Sequence, residues 1–179
     1  MKPFFLLSLL LIAFTSFSQK DLLTAQTRDE LVKNLDSAMH TVHFLTSADA
    51  ETIIGKTVIL KDSAYKFSSG VLRYNYDFIA KYVDSTSKGR ITVNFEQYKD
   101  TAIAKANYEF IRDENKKDKS YTALPNTGTD AYMTKDYLDQ PFIMILKDNK
   151  IYKFRMFYLS SEKSTQALLQ TAQRISSGR

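Results

Sequence analysis

Apolar residues recur along the chain in two rhythms, and each rhythm predicts a different kind of element. Between positions 28 and 45, Leu31, Leu35, Met39 and Val42 follow at steps of four, four and three, the stripe of an amphipathic helix. From 46 to 55 the chain reads as a short capped helix. Thr46 or Ser47 caps its first N–H groups, Asp49 and Glu51 stand in the first turn where the helix dipole favours anions, and Gly55 ends it. The rhythm then changes to two. A short apolar run covers 57–60. In 71–79, Leu72, Tyr74, Tyr76 and Phe78 alternate with Arg73, Asn75 and Asp77, and later Ile91, Val93 and Phe95 alternate with Thr92, Asn94 and Glu96. Both segments predict half-buried antiparallel strands, joined by a turn over 85–89.

Asp100 is placed to cap a helix over 101–115 whose apolar face is Ile103, Ala106, Phe110 and Ile111. Residues 116–136, with Pro125 and Gly128 as punctuation, read as a long surface loop, a kind of segment that often carries function. Two apolar runs, 142–146 and 151–159, flank Lys147, Asp148, Asn149 and Lys150, and Asp148-Asn149 suits positive φ at both centres of a tight hairpin turn. In the second run Tyr152, Phe154, Met156 and Tyr158 share one face, while Ile151, Lys153, Arg155 and Phe157 share the other. Ser164 or Thr165 caps a last helix that carries Leu168, Ala172 and Ile175 as its stripe. The order predicts an α+β fold, a single antiparallel sheet with helices packed on it.

The beginning of the chain follows neither rhythm. Lys2 precedes an apolar stretch over 4–14 broken by Ser8 alone, and small residues follow at Ser16 and Ser18. That order is a secretion signal, much shorter than the ~20 apolar residues of a membrane-spanning helix. The expected organisation is a cleaved signal over 1–18, a leader and helix over 19–44, and an α+β domain over 45–179. The alternatives for the first segment are an uncleaved anchor or a buried helix.

Composition narrows the class further. There is no cysteine, so neither disulfides nor a lipid-modified N-terminal cysteine contributes, and stability must come from a hydrophobic core. A chain near 150 residues is long enough for one, burying about 68–70% of its unfolded surface. Loss of the signal over 1–18 removes Lys2 and no acid, taking the net charge from +5 to +4. The densest basic group, Lys116, Lys117 and Lys119, is interleaved with Asp113, Glu114 and Asp118, the pattern of a solvated helix end rather than a phosphate-binding patch.

Three stretches carry a resemblance. They are the capped helix over 45–55 ending in Gly55, the segment 124–132 with Gly128, Asp130, Ala131 and Tyr132 entering a strand, and the Lys147–Lys150 hairpin followed by a closing helix. Together the layout resembles small exported domains of the PsbP-like type, including bacterial envelope lipoprotein families of unknown function. It departs from them by one extra residue, Thr129, between Gly128 and Asp130, and by the missing cysteine. The resemblance implies the α+β fold and a non-enzymatic binding or accessory role.

Few residues point to chemistry. Asp36, His40 and His43 lie at steps of four and three on a predicted helix, the one arrangement with metal-ligand spacing; the other reading is a polar helix flank. No serine stands in a nucleophile-elbow motif, and the five glycines do not form a phosphate loop. Asp77, Glu96 and Asp130 lie near strands without forming a recognisable carboxylate pair. Tyr121, Tyr132 and Tyr137, with Asp130, are the candidate binding residues, because tyrosine offers contact area with few torsions and a hydrogen-bonding tip. The same rings can instead fold down as a lid on the core. The expected function is that of an exported, non-catalytic envelope binding or accessory protein. Its expected partner is an envelope protein or a small apolar ligand between sheet and helix, without cofactor or nucleic acid. The alternative is a hydrolase of envelope polymers. Mass measurement of the protein recovered outside the cytoplasm is expected to show a chain beginning at Gln19; a chain beginning at Met1 and sedimenting with membranes would refute the leader.

Overall fold

The computed structural model describes residue 30 and residues 45–81, 89–159 and 161–177, with backbone alone for 62–65. The leader, the helix expected over 28–44 with Asp36, His40 and His43, and turn residues 85–88 lie outside the described residues. The described residues form helix α1 (Ser47–Ile54), strands β1 (Val58–Ser68), β2 (Val71–Ala80) and β3 (Arg90–Tyr98), and helix α2 (Thr101–Asn115). Strands β4 (Thr122–Ala123), β5 (Asp130–Lys135), β6 (Pro141–Lys147) and β7 (Lys150–Phe157), and helix α3 (Glu162–Ser177), follow. All seven strands join one sheet in the order β1-β2-β3-β7-β6-β5-β4, and every pairing is antiparallel. The fold is α+β, one antiparallel sheet with helices on it.

The local signals act as the residues dictate. Thr46 Oγ1 accepts from the Asp49 N–H while Asp49 Oδ2 accepts from the Thr46 N–H, a reciprocal capping box, and Gly55 closes α1 at φ 75°. Asp100 caps α2 by accepting from the Ile103 N–H at 2.8 Å. Alternation along β2, β3 and β7 sends Leu72, Phe78, Ile91, Val93, Phe95, Phe154 and Met156 to one side of the sheet. There they meet Ile53 of α1 and Leu168, Ala172 and Ile175 of α3. Arg174 of α3 bonds Asp49 of α1 at 2.7 Å and ties these two helices together. A second, smaller core lies on the opposite side, where α2 packs Ala104 and Tyr108 against Tyr98, Tyr132, Met144 and Ile151.

The structure corrects several expectations. The segment 116–136 is not one loop, since β4 and β5 lie within it. Tyr132 is buried under α2 and Thr134 is buried beside Ser120, while Ala131 is buried in the main core, so the strand is covered on both faces and shows little alternation to read. The inward side of α2 is Ala104 and Tyr108, whereas Ile103 and Phe110 are 46% and 74% exposed. That helix docks on a tyrosine-rich surface, so Tyr108 faces inward, and of the expected stripe Ile111 alone packs against this core. β1 is eleven residues long and far exceeds its apolar start; as an edge strand paired on one side only, it needs no continuous apolar pattern. The cap of α3 is Ser161, whose Oγ accepts from the Ser164 N–H at 3.1 Å. In the β6–β7 turn only Asp148 has positive φ, 53°; Asn149 instead donates through Nδ2 to Tyr98 O at 2.7 Å. Tyr158 leaves the β7 face at φ 59° and is exposed.

Two glycines with positive φ separate backbone strain from steric conflict. A Cβ at Gly70 (φ 73°) meets nothing within 4 Å, whereas at Gly128 (φ 62°) it falls 2.5 Å from Leu146 O and 2.6 Å from Ile145 Cγ2. Gly70→Ala is expected to cost about 1–2 kcal/mol and Gly128→Ala clearly more, about 3 kcal/mol or above, in denaturant unfolding. Equal losses would mean that the 124–129 turn does not press on β6.

Candidate functional site

The side of the sheet facing α2 is only partly covered by it. Beyond the helix, register aligns polar residues in rows across β2, β3 and β7. Asn75 pairs with Asn94 and Asn94 with Lys153; Asp77 pairs with Thr92 and Thr92 with Arg155; Arg90 pairs with Phe157. Asn75 is exposed and Asn94, Thr92, Arg90, Arg155 and Phe157 are half-buried, so this is an open, polar surface in the middle of the sheet.

Its inner border is organised by Glu96. The carboxylate is buried and accepts from Arg73 Nε at 3.1 Å, Lys153 Nζ at 2.9 Å and Tyr98 OH at 2.8 Å. Burial pushes the Glu96 pKa up, but the Lys153 charge and the hydrogen bonds from Lys153, Tyr98 and Arg73 outweigh it and hold the carboxyl below its ordinary value. Tyr98 is pushed the other way, first by burial and then by the carboxylate it donates to.

The outer border is less well satisfied. Arg90 Nη2 donates to Asp77 Oδ2 at 2.5 Å, and the Arg155 and Asp136 side chains approach at 3.4 Å. The Arg90 guanidinium lies 5.3 Å from the Phe157 ring centre, and that of Arg155 lies 6.0 Å from the same ring and 5.4 Å from Phe142. Asp77 Oδ1, Arg90 Nε, Thr92 Oγ1, Asp136 Oδ2 and Arg155 Nε are all buried without a hydrogen-bond partner.

The residues singled out from sequence fall mostly elsewhere. Tyr132 is fully buried under α2, its hydroxyl accepting from Asn115 Nδ2 at 3.0 Å and donating to Met144 Sδ at 3.2 Å. Tyr121 is half-buried and stacked on it, with ring centres 5.2 Å apart. Asp130 accepts from Arg112 of α2 at 2.6 Å. These three therefore belong to the packing that holds α2 on the sheet. Tyr137 stands apart, 86% exposed, in the turn beside Asp136. Sequence reasoning missed Arg90, Thr92 and Asp136. Lys153 and Arg155 were legible as basic residues alternating with aromatics on β7, but their neighbours follow from strand register alone. Among the described residues no group of His, Asp and Glu side chains is arranged to hold a metal, and no helix is long and apolar enough to cross a membrane.

No protein-family model matches the chain, and no curated protein matches it in sequence. By structure it is similar to the extracellular domain of PknH from Mycobacterium tuberculosis, with a TM-score of 0.50 and 8% identity, over 74% of this chain and 92% of that one. At that identity the likeness is one of fold.

The lowered Glu96 pKa has a pH signature. A depressed carboxylate contributes stability that is present above its unfolded value, near 4.5, and is lost as pH falls through the lower folded value. Glu96→Gln is therefore expected to lower the melting temperature at neutral pH, with the gap to the native chain narrowing below that value. A gap of constant size down to about pH 3 would show that Glu96 is not held ionised.

Proposed function

We propose that the chain is an exported, non-catalytic binding or accessory protein of the cell envelope, and that it engages its partner on the open polar face of the sheet. The observation that carries this is the gathering of unsatisfied polar atoms. Five of the seven such buried side-chain atoms among the described residues belong to Asp77, Arg90, Thr92, Asp136 and Arg155. Each uncompensated buried polar group costs about 1–3 kcal/mol, and native folds keep few of them. These atoms mark the part of the sheet where the polar network is least complete, and the Arg90 and Arg155 side chains there are 40% and 39% exposed, which fits a polar partner better than a small apolar one. The leader-like residues 1–18 support export, and the fold shared with an extracellular domain agrees with it. The carboxylates with shifted values, Glu96, Asp113 and Asp118, are all held below their ordinary range. Each is held ionised by charge pairing or hydrogen bonds, the opposite of the raised value that suits a proton-donating carboxyl.

Sedimentation of the purified chain with isolated envelope fractions tests this. Asn94→Arg crowds the open face without entering either core, and Phe110→Arg alters the outer side of α2. Envelope binding is expected to fall about fivefold or more for Asn94→Arg, with unchanged thermal stability, and to persist for Phe110→Arg. The reverse pattern would place the partner on α2. Release of reducing ends from envelope polymer by the native chain, abolished by Glu96→Gln, would establish the hydrolase instead.

A further inference from the structure

Arg155 is poorly compensated for a charge at this depth. Its Nε and Asp136 Oδ2 lie 3.4 Å apart, yet neither atom makes a hydrogen bond. Asp136 is not free to close the gap, because its Oδ1 accepts from the backbone N–H groups of Leu138 at 2.9 Å and Gln140 at 3.1 Å within its own turn. The Arg155 side chain is 39% exposed although its Nε is buried, and beyond Nε lies the Nη end, whose donors form a planar fork. Phe142 and Phe157 brace the guanidinium on the sheet. Arg90, also held on Phe157, has its own Nε without a partner. Two guanidinium groups with unpaired N–H donors thus share one aromatic ring.

The charge balance limits what can be held there. Asp77 and Asp136 offset Arg90 and Arg155, and in the neighbouring rows Glu96 faces both Arg73 and Lys153. Within these ion pairs the cations outnumber the carboxylates four to three, a local excess that favours an anionic ligand. A planar carboxylate matches the fork of an arginine in two parallel hydrogen bonds. One row along, the Asn75 and Asn94 amides are bonded to each other once, at 2.7 Å. Each amide both donates and accepts, as sugar hydroxyls do. A peptide docked by main-chain bonds or apolar anchors would call instead for a free strand edge or apolar pockets, and this surface is the middle of a sheet.

Building on the open-face reading, we propose that Arg155 and Arg90 form a carboxylate subsite for an acidic saccharide. Arg155 holds the carboxylate bidentately, and Asn75 and Asn94 meet hydroxyls of the same chain. Calorimetric titration of the full chain tests this with four probes: trigalacturonate, its neutral counterpart with carboxylates reduced, acetate, and a tripeptide with a free C-terminus. Trigalacturonate is expected to bind about tenfold or more tightly than the neutral trimer. Arg155→Gln is expected to remove that preference, and Arg155→Lys to restore only part of it, because an ammonium lacks the fork. Equal binding of the charged and neutral trimers, or an unchanged preference in a folded Arg155→Gln variant, would overturn the carboxylate subsite. If Asn94→Arg then abolished both trimers, the open-face reading would stand without it. Tighter binding of the tripeptide than of trigalacturonate, or no binding of trigalacturonate, would also overturn it, leaving the envelope-binding experiment to decide the wider reading.

Discussion

The pairing of β3 with β7 is the constraint on which the rest of the molecule depends. It joins a meander of β1, β2 and β3 to a second unit built from β4 to β7, and it brings together residues as far apart in the chain as Glu96 and Lys153, 57 positions distant. On one side the seam stacks Ile91 against Met156 and Val93 against Phe154, and packs Phe95 edge-on to Tyr152. On the other it sets Arg90 beside Phe157 and Thr92 beside Arg155. A slip of one residue would turn Lys153 and Arg155 into the main core and Phe154 out of it. The burial of Val93, Phe95, Phe154 and Met156 therefore holds the polar face in register as well.

The two sides of this sheet are covered by different means. Helices α1 and α3 bury aliphatic stripes on one side and are tied by Arg174 and Asp49. On the other, α2 is held by groups with polar tips: Arg112 on Asp130, Asn115 on Tyr132, and Tyr108 packed against both Tyr132 and Arg112. Such docking fixes where the helix sits while leaving part of the sheet open beside it. In the ion pairs on that open part the guanidinium side chains are about two-fifths exposed, whereas their carboxylates are largely buried. The consequence of these pairs is geometric, since they hold guanidinium groups against aromatic rings with donors still unpaired.

Much of the architecture was legible because its signals are local. The polar cap of α1 at Thr46 or Ser47 with acids in its first turn, the cap at Asp100, the glycine at the end of α1 and the alternation of β2, β3 and β7 each depend on residues within a few positions. The misreadings share a cause. Tyr121 and Tyr132 read equally as recognition residues or as a lid on the core because tyrosine is amphipathic, and the chain does not reveal that both rings gather with Tyr108 under one helix. Ile103 and Phe110 read as core for the converse reason: an apolar stripe on a helix does not disclose which side the sheet lies on. The open face was illegible because its rows are composed from three strands, and no single segment contains more than a part of one.

The sequence by itself determined that the chain builds an α+β domain with a core free of disulfides, where its central strands and its last helix lie, and which face of those strands is apolar. These follow from periodicity and capping, which act over one or two turns of chain. Only the tertiary structure decided that 130–135 is a strand buried on both sides, that Tyr132 and Asp130 serve to seat α2, and that Arg90 and Arg155 meet on Phe157. Those outcomes depend on register between strands distant in sequence and on the docking of a helix across them. Both are set by the packing of the whole sheet rather than by any stretch of residues within it.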